Sequence, residues 1–378
     1  MELIIQPDDG PASLLSAVKG AKKSLELTIF RFDRSDMETA LKAAVARGVK
    51  VTALIADVNR GGEKSLRRLE TRFLQAGITV TRSSDDLLRY HDKLIIIDRQ
   101  VLYTLTFNLT HLDIDHSRGF GIAAKNATLA QEAVRLFEAD CARRNYTAGP
   151  DTFVVSPANS RKVLRRFLER AKKQLLIYDP QISDEEMMDV LQQRAKAGVE
   201  IRIIGKISGR SDVKARKMTR MRLHTRTIIR DGHQAFVGSQ SLRPAELDSR
   251  REVGLIVHEP KVVKKLLTTF ESDWSTTERS DVPESTNDKE SPAVSKRVAE
   301  KAVAVLTHEL RPLAGTVKKA VNKVVAQAGE EVLHDKVVKS TVKKAIKKAV
   351  KKAVKEAVQD PERAQIERDT AGKARPRE

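Results

Sequence analysis

The chain has 378 residues, of which 40% are hydrophobic and 32% are charged, and its formal net charge is +19 at pH 7. This length allows roughly two to three domains, and the positive charge predicts an anionic partner such as a phosphate compound, nucleic acid or an acidic membrane surface. No apolar run is long enough for a transmembrane helix and the amino terminus shows no secretory signal, so the sequence predicts a cytoplasmic protein. Its only cysteine, Cys141, excludes an intramolecular disulfide and a cysteine metal cluster.

Residues 1–148 alternate short β-rich segments with amphipathic helical segments. In chain order these segments are LELTIF, METALKAAVARG, VKVTALIA, LRRLETRFLQAG and ITVTR. The first, third and fifth are typical of strands, whereas the second and fourth repeat apolar residues at helical spacing. This alternation predicts an α/β fold for the first part of the chain.

Residues 149–280 repeat this organisation. The segment RKVLRRFLERAKK leads into QLLIYD, and EEMMDVLQQRAKAG leads into VEIRIIG. A constant offset of 133 positions separates further matching pairs, namely His91 and His224, Asp98 and Asp231, Arg118 and Arg251, and Asp140 and Asp273. We therefore interpret the chain as two related halves.

The sequence changes character after the second half. Residues 281–297 are polar and contain two prolines, which predicts an exposed linker. Residues 298–378 are rich in lysine, alanine and valine, which predicts a basic helical tail with a disordered end. Two interpretations of this tail stay open: a solvated extension, and an electrostatic contact with nucleic acid or an anionic membrane that would make the protein peripheral at that surface.

Each half carries a histidine and a cation two positions apart on a predicted strand. His91 and Lys93 therefore point to one face of the first half, and His224 and Arg226 repeat the pair in the second. An aspartate and then hydroxyl or amide groups follow each pair; these residues are Asp98, Thr106 and Asn108 in the first half, and Asp231, Ser239 and Ser241 in the second. Phosphoryl transfer through a covalent intermediate needs a nucleophile, an acid and cations, with donors for the phosphate oxygens. The duplicated set supplies all of these groups.

The two copies resemble the signature of the phospholipase D superfamily, His-x-Lys-x4-Asp followed by x6-Gly-Ser-x-Asn. The resemblance covers roughly residues 10–280 and implies two α/β/α sandwich halves that pack about a pseudo-twofold axis. It also implies a phosphodiesterase with both histidines in one cleft, where one attacks phosphorus and the other protonates the leaving group. A single chain would hold the whole site, and the resemblance implies no metal ion and no other cofactor.

Four positions depart from this signature: Leu105 replaces glycine, Thr106 replaces serine but keeps the hydroxyl, Arg226 replaces lysine and Ser241 replaces asparagine. In the family, a carboxylate after each motif commonly orients the histidine of the opposite half. This chain has Glu252 in the second half but Gly119 in the first. We therefore expect Glu252 to support His91 as the nucleophile, and His224, which lacks such a partner, to act as general acid and base.

Three functions agree with these features. Two motifs in one chain favour a phospholipase D-like phosphodiesterase or phosphatidyltransferase that acts on phospholipids. The basic stretch 206–230, which we expect to line one wall of the cleft, equally suits a metal-independent nuclease. The departures at Leu105, Gly119 and Arg226 leave open a third alternative, a catalytically weakened module that binds nucleic acid or membrane.

Overall fold

In the computed structural model, residues 1–57, 63–208, 213 and 215–279 are described. These ranges include both copies of the histidine motif. The linker predicted at residues 281–297 and the basic helical tail predicted at 298–378 lie outside the described residues.

Strands and helices alternate through both halves. The first half contains β1 (Glu2–Gln6), α1 (Ala12–Gly20), β2 (Ser24–Ile29), α2 (Ser35–Ala46), β3 (Lys50–Ile55), α3 (Glu63–Gln75), β4 (Thr79–Arg82), β5 (Arg89–Tyr90), β6 (Leu94–Ile97), β7 (Val101–Leu105), α4 (His111–His116), β8 (Ser117–Ala124) and α5 (Ala127–Cys141). The second contains β9 (Phe153–Ser156), α6 (Ser160–Glu169), β10 (Gln174–Ile182), α7 (Glu185–Lys196), β11 (Glu200–Ile207), β12 (Ala215–Lys217), β13 (Arg222–Leu223), β14 (Arg226–Arg230), β15 (Gln234–Gly238), α8 (Pro244–Asp248), β16 (Arg250–Val257), α9 (Pro260–Ser275) and β17 (Glu278–Arg279).

The strands of the two halves follow the same spatial order. In the first sheet this order is β1, β8, β7, β6, β2, β3 and β4; in the second it is β9, β16, β15, β14, β10, β11 and β12, with β17 beyond β12. Within each half, parallel pairing occurs at corresponding positions, between β2, β3 and β4 and between β10, β11 and β12. This topology confirms the α/β fold of two repeated halves, and the predicted division at residues 148 and 149 lies between α5 and β9.

Apolar patterning explains both kinds of element. Helix α6 buries Val163, Leu164, Phe167 and Leu168 on one side, which is the stripe expected of a helix that covers a sheet. Every residue of β6 is buried, because helices cover one face of its sheet and the other half covers the opposite face. The sequence of each element therefore matches its layer in the fold.

A shared core joins the two halves. Each half has an apolar cluster of its own between its sheet and its outer helices. A further cluster takes side chains from both sheets and from α5 and α9. In it the ring of Tyr178 contacts Phe120 and Phe270 edge to face, with centroids 5.4 and 5.0 Å apart. The halves therefore form one packed structure around the region where the two motifs meet.

The halves also exchange short strands. Strand β5 of the first half pairs in parallel with β16 of the second sheet, and β13 of the second half pairs in parallel with β8 of the first. The chain continues from these strands directly into the motif histidines. The N–H of His91 donates to the carbonyl of Arg251 (2.8 Å), and the N–H of His224 donates to the carbonyl of Arg118 (3.0 Å). Each histidine is thus held by the backbone of the opposite half.

Two buried ion pairs secure this exchange. The guanidinium of Arg118 donates to both carboxylate oxygens of Asp273 on α9, at 2.8 and 3.0 Å. The guanidinium of Arg251 makes the equivalent contacts with Asp140 on α5, at 2.9 and 2.8 Å. Each pair crosses between the halves and is almost fully buried. The backbone carbonyls of the same two arginines accept the N–H groups of the motif histidines. The ion pairs therefore stabilise the backbone that positions both histidines.

We expect Asp140→Ala to lower the free energy of unfolding by about 3–5 kcal/mol, because it leaves the buried guanidinium of Arg251 without its counterion. Glu169→Ala is the control, since it removes an exposed pair with Arg165 on α6 and should cost no more than about 1 kcal/mol. Denaturant unfolding of the wild type and the two variants measures both losses in the free energy of unfolding. Similar small losses in the two variants would contradict the stabilising role of the buried pair.

Candidate active site

The two motif histidines lie in one buried site between the halves. His91 and His224 are each 7% exposed. The charges of Lys93 and Arg226 act on both imidazoles, which places the cations of both halves near both rings. The structure therefore brings together the four side chains of the duplicated pairs.

His91 is held by a carboxylate of the opposite half. Its Nδ1 lies 2.8 and 3.0 Å from the two carboxylate oxygens of Glu252, which is fully buried. Burial raises the pKa of Glu252, and the charges of Lys93 and Arg226 oppose this rise. As an ionised carboxylate Glu252 only accepts hydrogen bonds, which places the imidazole proton on Nδ1 and leaves the lone pair on Nε2. The ring of Phe30 packs edge to face on the imidazole at a centroid distance of 4.5 Å. His91 is therefore fixed in both position and tautomer.

His224 also has a carboxylate beside it, from a residue that the sequence analysis did not single out. Its Nδ1 lies 3.2 Å from Oδ2 of Asp113, on the short helix α4, which is an ion-pair distance without the alignment of a hydrogen bond. Position 119, where the family commonly has a carboxylate, is a glycine, and Asp113 lies six positions earlier in the chain. The physical reason why Asp113 lies beside His224 is the strand exchange, which places β13 and the following His224 beside β8 and α4.

The surroundings favour neutral imidazoles in the free site. Burial lowers the pKa of His91 well below its ordinary value, and the charges of Lys93 and Arg226 lower it further. Burial likewise lowers the pKa of His224 well below its ordinary value, although the charge of Asp113 opposes this. A neutral imidazole with its proton on Nδ1 has a free lone pair, which is the form needed for nucleophilic attack.

The two cations differ in how they are held. The ammonium of Lys93 donates to the carbonyl of His91 and is buried, and burial lowers its pKa to about 8. The guanidinium of Arg226 donates to the carbonyl of His224 at 3.4 Å and to the hydroxyl of Ser241 at 3.2 Å. Both therefore occupy corresponding positions beside the histidine of their own half and can bind the oxygens of an anion.

The predicted phosphate-binding residues lie in the site with partners of their own. The hydroxyl of Thr106 accepts a hydrogen bond from the N–H of Phe120, and the hydroxyl of Ser239 makes the corresponding contact with Val253. The amide of Asn108 donates to Asp113 at 2.7 Å. In this arrangement these groups support the walls of the site, and the hydroxyl of Ser241 is the one that contacts a motif cation.

The structure does not bring Asp98 and Asp231 to the site. They lie at the opposite end of β6 and β14 from the histidines, in the tight turns that lead into β7 and β15, with φ near +50°. The carboxylate of Asp98 accepts the three successive backbone N–H groups of residues 22–24, and Asp231 does the same for residues 172–174. Both aspartates thus fix the start of a neighbouring strand, and the catalytic assignment made from the motif gives way to a structural one.

The basic stretch 206–230 contributes only some of its residues to the site. Arg222 contacts Asp113 at 2.5 Å, and Arg226 lies beside His224. Arg216 instead lies over the ring of Trp274, 4.1 Å from its centroid. Residues 209–212 and 214 are outside the described ranges. The expectation that this stretch lines the cleft is therefore met at its end that includes Arg222 and Arg226.

Within the described ranges, no three histidine, cysteine, aspartate or glutamate side chains converge in a way that could hold a metal ion. No helix in the same ranges combines the length and apolar composition needed to cross a bilayer.

Comparison with known proteins gives the same assignment as the motif. The family model described as "Cardiolipin synthase, PLD-like domain" matches residues 14–141 and 164–274, which is more than half of the chain. Mitochondrial cardiolipin hydrolases of Canis lupus familiaris and Mus musculus are each 34% identical to it over 128 residues. That alignment covers 33% of this chain and 46% and 52% of the two relatives, so it spans about half of their length.

Two solved structures share the fold. A polyphosphate kinase from Porphyromonas gingivalis matches 74% of this chain and 48% of its own, with a TM-score of 0.63 and 18% identity. A phosphatidylserine synthase from Haemophilus influenzae Rd KW20 matches 82% of this chain and 94% of its own, with a TM-score of 0.56 and 11% identity. Since the family model spans both halves and the duplicated motifs meet in one site, the chain belongs to the phospholipase D superfamily.

Proposed function

We propose that the protein cleaves or exchanges phosphodiester bonds of phospholipids through a covalent phosphohistidine on His91. The observation that carries this proposal is the arrangement of two buried histidines, each with Nδ1 against a carboxylate and both beside Lys93 and Arg226. This arrangement directs both Nε2 atoms away from the carboxylates and leaves them for chemistry.

In the first step, the Nε2 lone pair of His91 attacks phosphorus and the bond from phosphorus to the leaving oxygen breaks. The leaving oxygen takes a proton from Nε2 of His224, which is an imidazolium at that point. The negative phosphodiester between Lys93 and Arg226 favours this charged form, because an anion nearby stabilises the imidazolium. Glu252 stabilises the positive charge that develops on His91.

In the second step, the oxygen of water or of an alcohol attacks phosphorus and the bond between Nε2 of His91 and phosphorus breaks. His224, now neutral, accepts the proton of the attacking oxygen and returns to its starting form. Water gives hydrolysis and an alcohol gives transfer. Lys93 and Arg226 bind the non-bridging oxygens in both steps, which stabilises the charge of the transition state.

Phospholipid is the proposed substrate because the curated relatives are named cardiolipin hydrolases and because two motifs in one chain suit that class. The net charge of +19 supports nucleic acid as the alternative substrate. The full chain should be offered phosphatidylglycerol, cardiolipin, single-stranded DNA and duplex DNA, with His91→Ala as the control for contaminating activity. Release of a lipid head group supports the proposal, cleaved DNA supports the nuclease, and binding without turnover supports the weakened module.

Turnover is expected to fall above about pH 8, because the buried Lys93 has its pKa lowered to about 8 and loses its charge as the pH rises through that value. The loss should be seen in kcat/KM, which reports the ionisations of the free enzyme. In Lys93→Arg the cation does not titrate in this range, so the fall should move to higher pH. If kcat/KM of this variant still fell at the same pH as that of the wild type, the ionisation would belong to another group.

A further inference from the structure

We propose that Asp113 is the positioning residue of His224 and replaces the carboxylate that position 119 does not supply. This proposal rests on the proposed function, in which His224 gives and takes the proton of the leaving and attacking oxygens. Asp113 acts through His224 and does not itself contact the substrate.

Position 119 cannot supply a carboxylate in this fold. Gly119 on β8 corresponds to Glu252 on β16 by the offset of 133 that relates the halves. A Cβ atom at Gly119 would lie 2.9 Å from the ring of Phe107, which is fully buried. Real Cβ atoms do not approach so closely, so the packing of Phe107 excludes any longer side chain at this position. The carboxylate for His224 has to come from another element.

The side chain of Asp113 is held in a single orientation. Its Oδ2 accepts hydrogen bonds from the backbone N–H and the side-chain amide of Asn108, at 2.8 and 2.7 Å. Its Oδ1 accepts from Arg222 at 2.5 Å. The hydroxyl of Thr110 caps α4 by accepting from the N–H of Asp113. Only 3% of this side chain is exposed, so Oδ2 is fixed beside Nδ1 of His224.

The residue of the second half that corresponds to Asp113 does not contact a histidine. Glu246 is related to Asp113 by the same offset and likewise accepts a backbone N–H, that of Ser241, at 2.8 Å. Its carboxylate contacts cations, Arg250 at 2.9 Å and Arg226 at 3.8 Å, and not a histidine. On that side of the site Glu252 already occupies Nδ1 of His91. The corresponding carboxylates therefore both contact an arginine, and the one in the first half lies beside a histidine as well.

The surroundings of Asp113 keep it negatively charged, as the carboxylate beside the proposed proton donor His224 should be. Burial alone would raise the pKa of Asp113, but His224, Asn108 and Arg222 bring it below its ordinary value, so Asp113 is an anion. Its charge is shared between Arg222 and His224, whereas both oxygens of Glu252 face His91. Asp113 therefore orients His224 and stabilises its imidazolium less strongly than an unshared carboxylate would. The charged groups that act on His224 are Asp113, Arg226, Arg222 and Lys93.

The test compares two phosphodiesters that differ only in the leaving group, a p-nitrophenyl ester and an alkyl ester. An alkoxide needs a proton to leave, whereas p-nitrophenolate does not. Asp113→Asn should lower the rate of the first step, measured as adduct formed on His91, about 100-fold or more with the alkyl ester and less than about tenfold with the p-nitrophenyl ester. Equal losses of the first-step rate with both esters would overturn the positioning role.

Glu246→Gln is the matched control. It changes the corresponding carboxylate, so it should affect both esters equally through its contact with Arg226 and should show no dependence on the leaving group. Thermal unfolding of both variants establishes that each is folded before the rates are compared.

A spectroscopic measurement decides the proposal independently of activity. In ¹⁵N spectra of labelled protein, His224 of the wild type should hold its proton on Nδ1, whereas Asp113→Ala should populate both tautomers. A tautomer that does not change would overturn the proposal. If the wild-type protein cleaves neither ester while the tautomer shifts as expected, the proposed function fails and the positioning by Asp113 stands.

Discussion

Replacing His91 by alanine is expected to lower turnover of a phosphodiester by at least about 10⁴-fold, because it removes the proposed nucleophile that forms the bond to phosphorus. Rapid acid-free quenching followed by mass spectrometry should find a phosphorylated or phosphatidylated peptide containing His91 in the wild type and none in the variant. Since histidine adducts are labile in acid, the digestion is carried out at neutral or alkaline pH.

His233→Ala is the control for this experiment. His233 is exposed in the turn between β14 and β15, and its ring contacts only a backbone carbonyl, that of Asp231. The change should leave turnover and adduct formation as they are. A His91→Ala protein that kept an adduct and near-normal turnover would show that the nucleophile lies elsewhere.

Replacing His224 by alanine is expected to separate the two steps. With an alkyl leaving group, turnover should fall by about 10³-fold or more, because the leaving oxygen has no proton donor. With a p-nitrophenyl leaving group, the first step still proceeds, but no base activates the attacking water. The variant should therefore release about one equivalent of p-nitrophenolate in a burst and then stop, with the adduct retained on His91.

The location of that trapped adduct tests the division of roles. An adduct on His91 in His224→Ala agrees with the proposed mechanism. If the roles were reversed, His224→Ala would form no adduct, and His91→Ala would give the burst and carry the adduct on His224. The two variants together thus distinguish the two assignments with one substrate.

The sequence predicted the fold and the two histidine pairs from local spacing and from the offset between two copies, although His91 and Lys93 lie between β5 and β6 and not within one strand. Residues two apart on a strand share a face, and a constant offset between copies places them at equivalent positions. The spacing also marked Asp98 and Asp231, but it did not show that strands β6 and β14 carry these residues to the far end of the sheet. The motif therefore combines catalytic and structural residues that a linear pattern does not separate.

Asp113 could not be found in this way because its contact depends on tertiary structure. The offset between the halves relates Glu252 to Gly119, whereas the strand exchange brings His224 beside α4. One signal was present in the sequence: the offset that relates the histidines also relates Asp113 to Glu246, so an acidic residue occurs there in both halves. That correspondence indicated a shared role without indicating the partner.

The cross-half ion pairs show the same limit. Arg118, Arg251, Asp140 and Asp273 were recognised as duplicated residues, and their matching offsets were visible. Which arginine contacts which aspartate depends on how the halves pack. The structure pairs each arginine with the aspartate of the opposite half, and this reciprocal pairing is a property of the assembled fold alone.

Fusion of both halves into one polypeptide has a genetic consequence. In an assembly of two identical subunits, a codon change at the position of Glu252 would appear on both sides of the axis at once, and both histidines would keep equivalent surroundings. When both copies lie in one chain, each copy can acquire amino-acid substitutions independently of the other. The two copies now differ at two such positions: Gly119 corresponds to Glu252, and Asp113 corresponds to Glu246. As a result, the two motif histidines have different neighbours.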